Sequence, residues 1–231
     1  MGHAGVNGEA RPAFYALSPG GWRDYVTLLH PPYTLWHLSY VAIGAALAPH
    51  MKWGLLGWTT LAFFLAMGIG AHALDELNGR PLRTRIASPV LVGLAVVSLA
   101  AACVIGVVVA AGTTWWLLAF VVFGAFVAVA YNLELFRGAF HSDIWFAAAW
   151  GAFPVLTAYF VSAERLRGEA FAAAAFAFLV SLAQRTLSTP VRFARRHAGD
   201  PASARPAELA LQILAAALPV LAGALLLSRS G

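Results

Sequence analysis

The chain has 231 residues, 61% hydrophobic and 11% charged, with a formal charge of +5 and one cysteine. A soluble domain carries about 25% charged residues, so this composition excludes an ordinary soluble fold and reads as an all-α, polytopic transmembrane bundle. The lone Cys103, set in an apolar run, excludes a disulfide framework and a cysteine metal centre; it reads as a small packing residue.

The positive charge is almost all arginine, because Lys52 is the only lysine. A retinal protein needs a Schiff-base lysine in its last helix, and none lies there. The arginines sit between apolar runs instead of forming one stripe, which excludes nucleic acid as a partner. It points instead to lipid headgroups and loop retention at a bilayer.

In chain order, residues 1–21 are rich in Gly, Ala and Pro without periodicity and read as a disordered cytoplasmic tail. Residues 22–231 read as a single transmembrane helical domain. Trp22–His30 has the mixed composition of a short interfacial helix, and Pro31 and Pro32 open the next element. Seven apolar runs follow, near 33–49, 53–74, 88–111, 113–132, 143–162, 168–189 and 207–228. The first ends in Ala46-Leu47-Ala48, like a signal-peptidase site, but its long hydrophilic lead fits a retained anchor better. Glycines such as Gly68, Gly70, Gly93, Gly106, Gly124 and Gly151 suit close helix approach in lipid.

Basic residues set the expected topology. Arg11, Arg23, Arg80, Arg83, Arg85, Arg137, Arg185, Arg192, Arg195, Arg196 and Arg205 fall in the N-terminus and the even loops. Only Lys52, Arg165, Arg167 and Arg229 fall on the other side. This asymmetry puts the N-terminus in the cytoplasm and the C-terminus outside.

Chemistry gathers on the cytoplasmic side. Gly70–Ile86 (GAHALDELNGRPLRTRI) supplies His72, Asp75 and Glu76 at i, i+3 and i+4, one helix face, followed by Arg80, Arg83 and Arg85. Acidic groups at a membrane helix end mark a function unless they merely pair with arginine at the interface. Carboxylates beside a cationic loop would seat a divalent cation and a diphosphate. The same His-x-x-Asp-Glu spacing also suits zinc, although no third ligand is evident. The fourth loop brings Tyr131, Asn132, Glu134, Arg137, His141 and Asp143. The sixth brings Gln184, Arg185, Ser188, Thr189, Arg192, Arg195 and Arg196. Competing structural readings attach to several of these. Tyr131 and Trp145 suit an interfacial aromatic belt, His141 and Asp143 a helix cap, Arg195 and Arg196 a topology signal, and His37 a satisfied core histidine.

Four stretches carry a family likeness: Leu29-His30-Pro31-Pro32, GAHALDELNGRPL, YNLELFRGAFHSDIWFAAAWGAFPVLTAY and QRTLSTPVRFARR. In order and membrane side they resemble the motifs of the UbiA superfamily of intramembrane prenyltransferases, over roughly residues 25–200. The resemblance implies binding of an isoprenoid diphosphate (or another anionic lipid) through Mg2+, and transfer of the prenyl group to an acceptor at the cytoplasmic face. It implies Asp75, Glu76 and Tyr131 as catalytic residues, with Asp75, Glu76 and His72 at the metal. Asn78, Arg80, Arg83, Arg85, Arg137, Gln184, Arg185, Ser188 and Arg192 would hold the diphosphate.

The chain departs from the family pattern at defined places. Ala71 and His72 stand where an Asn-Asp pair precedes the retained aspartate, and Gly79 stands where a further aspartate follows. Gln184 and Ser188 occupy the two acidic positions of the second motif, and the last two of nine spans are missing. These departures suit an alternative: a non-catalytic UbiA-like protein that binds a lipid or a membrane partner enzyme. A small transporter would need discontinuous helices or internal symmetry, which the sequence does not display.

Overall fold

The computed structural model describes residues 11–196 and 201–230, and among these it is helical with no strands. A short helix, α1 (Trp22–Leu28), precedes seven long ones. These are α2 (Pro31–Leu47), α3 (Trp53–Leu77), α4 (Ser88–Gly112), α5 (Leu117–Asn132), α6 (Asp143–Ala163), α7 (Gly168–Arg196) and α8 (Pro201–Leu227). Each overlaps one of the expected apolar runs, although α2 ends before residue 49 and α5 begins after residue 113. Five of them, α3, α4, α6, α7 and α8, are long and apolar enough to cross a membrane. The α5 helix is apolar but shorter, and α2 has 17 residues. At 1.5 Å per residue α2 extends about 26 Å, a little less than the roughly 30 Å hydrocarbon layer.

The centre of the bundle is α2, which packs along α6 on one side and α8 on another. Small residues make this closeness possible. A Cβ on Gly44 would lie 2.3 Å from the Val155 carbonyl oxygen, so α2 and α6 touch backbone to backbone there. Gly151 does the same for α6 and α7, where a Cβ would lie 2.6 Å from the Ala177 oxygen. Trp36, Tyr40 and Ile43 of α2 then fill the space against Ala177 of α7 and Ala215, Leu218 and Ala222 of α8. The polar atoms in this core are satisfied in a chain: the Trp36 indole donates to Tyr40 Oη (2.7 Å), and Ser181 Oγ donates to the same oxygen (3.2 Å).

Direction follows from contacts at the two ends. Tyr33 packs beside Ala204 and Leu211, while Arg229 Nε donates to the Ala46 oxygen at 2.7 Å. Helices α2 and α8 therefore run the same way, and the loops after α3, α5 and α7 meet at the end of the bundle where α2 begins. At that end Asn78 donates to the Asn132 carbonyl (3.3 Å) and Asp143 pairs with Arg185 (2.7 Å). The expected convergence of the second, fourth and sixth loops is present.

The expected disordered tail is not what residues 11–21 form; residues 1–10 lie outside the described residues. Ala16 is buried, the Leu17 amide donates to Thr27 Oγ1 (3.0 Å), and Arg195 donates to the Arg11 carbonyl (3.0 Å). Phe14 and Tyr15 pack edge-on against Tyr33, so aromatic burial anchors a segment whose Gly and Pro content reads as loose.

Two helices contain π-helical stretches, Phe64–Ala71 in α3 and Ala147–Ala152 in α6. Such widened turns re-aim side chains and carbonyls and recur at functional sites. Both lie beside the cavity described next.

Candidate functional site

At the polar end of the bundle a cavity of about 350 Å³ is enclosed by α2, α3, α5, α6, α7, α8 and residues 12–15. Of the residues expected at a site, it brings together His72, Asp75, Tyr131, Gln184, Arg185, Ser188 and Arg192. The last four are one helical face of α7, spaced i, i+1, i+4 and i+8 from Gln184. Arg185 donates to Asp143 (2.7 Å), and its guanidinium lies 5.2 Å from the centre of the Phe146 ring, which fixes its orientation. Arg192 reaches Thr189 Oγ1 at 3.4 Å, and Ser188 Oγ donates to the Arg185 carbonyl at 3.1 Å.

The neighbouring carboxylates Asp75 and Glu76 have different positions. Asp75 lines the cavity. Glu76 is fully buried beneath the following loop, where its carboxylate accepts from the Leu82 amide (2.9 Å), the Thr84 amide (2.8 Å) and the Thr84 hydroxyl (2.9 Å). A buried carboxylate must be satisfied, and here three donors of its own loop do so. The placement of Glu76 at a metal or at the reaction is therefore corrected: it is a loop staple.

Several expected phosphate ligands are likewise elsewhere. Arg80, in the left-handed region at φ 54°, donates to the Thr84 and Ile86 carbonyls and to Ser88 Oγ, tying the loop to the start of α4. Asn78 donates to Glu134 as well as to the Asn132 carbonyl. Arg83 and Arg85 are exposed, and the Arg85 amide is engaged by Asp24 (3.0 Å). Arg137 is exposed on a kinked turn where Glu134, Phe136 and Arg137 all have positive φ. The end of this loop is capped by Ser142, whose Oγ accepts from the Trp145 amide, while Asp143 serves Arg185.

Four histidines line the cavity: His30, His37, His72 and His141. Each places Nδ1 within hydrogen-bond distance of a backbone carbonyl: His30 with Leu28 (2.9 Å), His37 with Trp150 (2.9 Å), His72 with Gly68 (3.1 Å) and His141 with Tyr131 (3.0 Å). A carbonyl oxygen only accepts, so Nδ1 carries the proton in all four rings and Nε2 of each neutral ring is the lone-pair nitrogen. Gly68 and Trp150 are in the two π-helical stretches, which ties those irregular turns to the imidazole orientation. His30 and His72 stack with centroids 4.0 Å apart, and His141 stacks on Tyr131 at 4.5 Å. Enclosure in the wall pushes the His30 pKa down to about 4, so this ring is neutral at pH 7.

Sequence reasoning missed His30 and His37 as cavity residues. The signal was present in the spacing: His30 stands just before α2, and Tyr33 and His37 follow at i+3 and i+7. Tyr131 and Gln184, each only 5% exposed, carry Oη and Oε1 atoms with no partner among the described residues.

The cavity adjoins a second, apolar space of about 100 Å³ between α3, α4, α5 and α6, reaching from Thr59 to Trp150. Met67 and Trp150 belong to the walls of both. A polar chamber thus lies beside an apolar cleft, the two sharing Met67 and Trp150.

The donor set does not fit the expected Mg2+ site. Mg2+ takes octahedral oxygen ligands, usually from one or two carboxylates together with phosphate. Here Glu76 is committed to its loop and the α7 face holds no carboxylate. Among the described residues no group of three His, Cys, Asp or Glu side chains is arranged to hold a metal ion. Glu208 also lines the cavity, but it is paired with Arg195.

No family model matches the chain, and neither a curated protein nor a solved structure matches it.

Proposed function

We propose that the chain is a UbiA-like intramembrane prenyltransferase that works with arginine in place of metal. The cavity would hold the diphosphate of an isoprenoid, or a related anionic lipid head, against Arg185 and Arg192. The prenyl tail would lie in the apolar cleft. One observation carries this reading: the polar cavity and the apolar cleft share Met67 and Trp150 as a common wall. The proposal keeps seven spans, with α2 and α5 crossing as well, the N-terminus and cavity at the cytoplasmic face, and the C-terminus outside.

The reaction needs the allylic C–O bond to break with its electron pair leaving on the diphosphate. Two guanidiniums in a low-dielectric wall stabilise that charge. The allylic cation left behind faces the rings of Tyr131 and Trp150, which disfavour water and attract positive charge. An acceptor then donates electrons to the cation, and its proton passes to Asp75 or to an imidazole Nε2.

A second reading has the same scaffold binding a lipid or a membrane partner enzyme without turnover. The commitment of Glu76 to its loop favours it, because only Asp75 of the adjacent acidic pair reaches the cavity.

The test is binding of farnesyl and geranylgeranyl diphosphate to the detergent-purified protein, with diphosphate release followed in the same samples, with Mg2+ and with EDTA. Binding that persists in EDTA and falls at least tenfold in Arg192→Gln is expected. Release across a panel of acceptors identifies the enzyme, and binding without release identifies the lipid binder. No binding in either condition refutes the diphosphate site.

A further inference from the structure

The arginines account for an anion, but they leave the four histidines of the cavity unexplained. With Nδ1 of His30, His37, His72 and His141 donated to backbone carbonyls, Nε2 is the nitrogen of each ring left to a ligand. Gln184 Oε1, buried on the α7 face, is a further acceptor without a partner among the described residues.

An acceptor surface selects its ligand by chemistry. A fully ionised phosphate brings only acceptors, so it finds no bond with a neutral Nε2. An ammonium head could approach Asp75 but would meet two guanidiniums, Arg185 and Arg192, in the same cavity of about 350 Å³. Neutral hydroxyl groups meet both demands, donating to Nε2 and accepting from an arginine or from Tyr131. One hydroxyl would serve one ring. The imidazoles are distributed over α2, α3 and the entries of α2 and α6, so their full use takes several hydroxyls on one small frame.

We propose that the four imidazoles are the seat of a neutral, polyol-type headgroup. It is read by donated hydroxyl hydrogens and lies beside the anionic group on α7. This deepens the reading of the cavity given above and rests on it, since it names the second ligand of that site. The fixed tautomer is the distinguishing feature. A histidine that donated through Nε2 would read phosphate oxygens, whereas these four are held the other way by Leu28, Trp150, Gly68 and Tyr131.

The test uses the full chain in lauryldimethylamine oxide micelles, which offer no hydroxyl. Two probes share one alkyl chain: 1-O-dodecylglycerol and its 2,3-di-O-methyl ether, in which both donors are removed. Calorimetric titration is expected to give at least tenfold tighter binding of the diol. In [15N]histidine spectra the Nε2 resonances should move on adding diol and not on adding ether. His141→Phe, at a partly exposed position, should weaken diol binding several-fold and leave the ether unchanged. Equal affinity for diol and ether overturns the proposal, and because this comparison uses the unaltered protein no folding defect can obscure it. Farnesyl diphosphate is titrated in parallel. If it binds while the glycerol probes do not differ, the polyol seat fails and the proposed function stands. If none of the three binds, both fail.

Discussion

Glu76→Gln separates a loop staple from a catalytic acid. The carboxylate accepts three hydrogen bonds, from the Leu82 amide at 2.9 Å, the Thr84 amide at 2.8 Å and the Thr84 hydroxyl at 2.9 Å. An amide keeps one oxygen, which can stay with Thr84, and turns an NH2 group toward the Leu82 N–H. One charge-assisted bond, worth about 1.5–3 kcal/mol, is lost, and a buried donor is left facing another donor at a cost of about 1–3 kcal/mol. Allowing for relaxation, a net loss of about 3 kcal/mol is on the order of 10²-fold in the opening equilibrium of the loop. Hydrogen exchange read by mass spectrometry in detergent measures this over residues 80–86. The variant should exchange faster there by about that factor while diphosphate binding falls less than threefold. The reasoning is refuted if residues 80–86 stay protected while binding is abolished, for then Glu76 acts in the cavity and the loop does not depend on it.

Asp75→Asn should do the reverse, leaving the thermal midpoint within about 3 °C (roughly 1 kcal/mol) while cutting turnover, or affinity in a pure binder, at least tenfold. His30 has its folded pKa lowered to about 4 against about 6.5 in an unfolded chain. Its contribution to stability is therefore complete above pH 6.5 and is lost as pH falls from 6.5 toward 4. Midpoints recorded from pH 8 to pH 4 should show an acid decline that flattens in His30→Asn, a residue that tolerates the φ of 46° at this position. Gly44→Ala places a Cβ 2.3 Å from the Val155 oxygen and should destabilise the protein by about 1–3 kcal/mol or more, seen as a lowered midpoint. Gly57→Ala, where nothing lies within 4 Å, is its control. Arg83→Cys in a Cys103→Ala background should react with an impermeant maleimide from the cytoplasmic face only; labelling from outside would invert the proposed topology.

The helices were legible because their signal is one of composition. The apolar runs are long, most of them bounded by Pro or charge, and Gly112-Thr113-Thr114 alone separates the third from the fourth. The meeting of three loops at one end was legible for the same reason, since alternating spans force it. What the chain order hides is the direction in which adjacent side chains leave a helix end. Asp75 and Glu76 are consecutive and chemically alike, yet helix geometry sends them about 100° apart, one to the cavity and one beneath a loop. The arginines of that loop misled in the same way. Arg80 finds carbonyls released by a non-helical turn, which nothing in its spacing from Asp75 foretells. His37 reads as a solitary polar residue among apolar ones. Its meaning comes from a carbonyl 113 positions away, in a π-helical turn that has no sequence signature of its own.

The segment from Pro12 to Tyr15 forms part of the cavity wall at the polar end of the bundle, held there by the rings of His30 and Tyr33. The apolar cleft opens between α3, α4, α5 and α6, where the surroundings of an embedded bundle are acyl chains. For the proposed lipid ligand, arrival through the cleft would make its concentration a two-dimensional quantity, set by its share of the surrounding lipid and not by its amount per volume of buffer. Occupancy in vesicles would then fall when inert lipid is added at constant volume and stay constant when water is added at constant lipid. Affinities measured in micelles and in bilayers become comparable only as mole fractions.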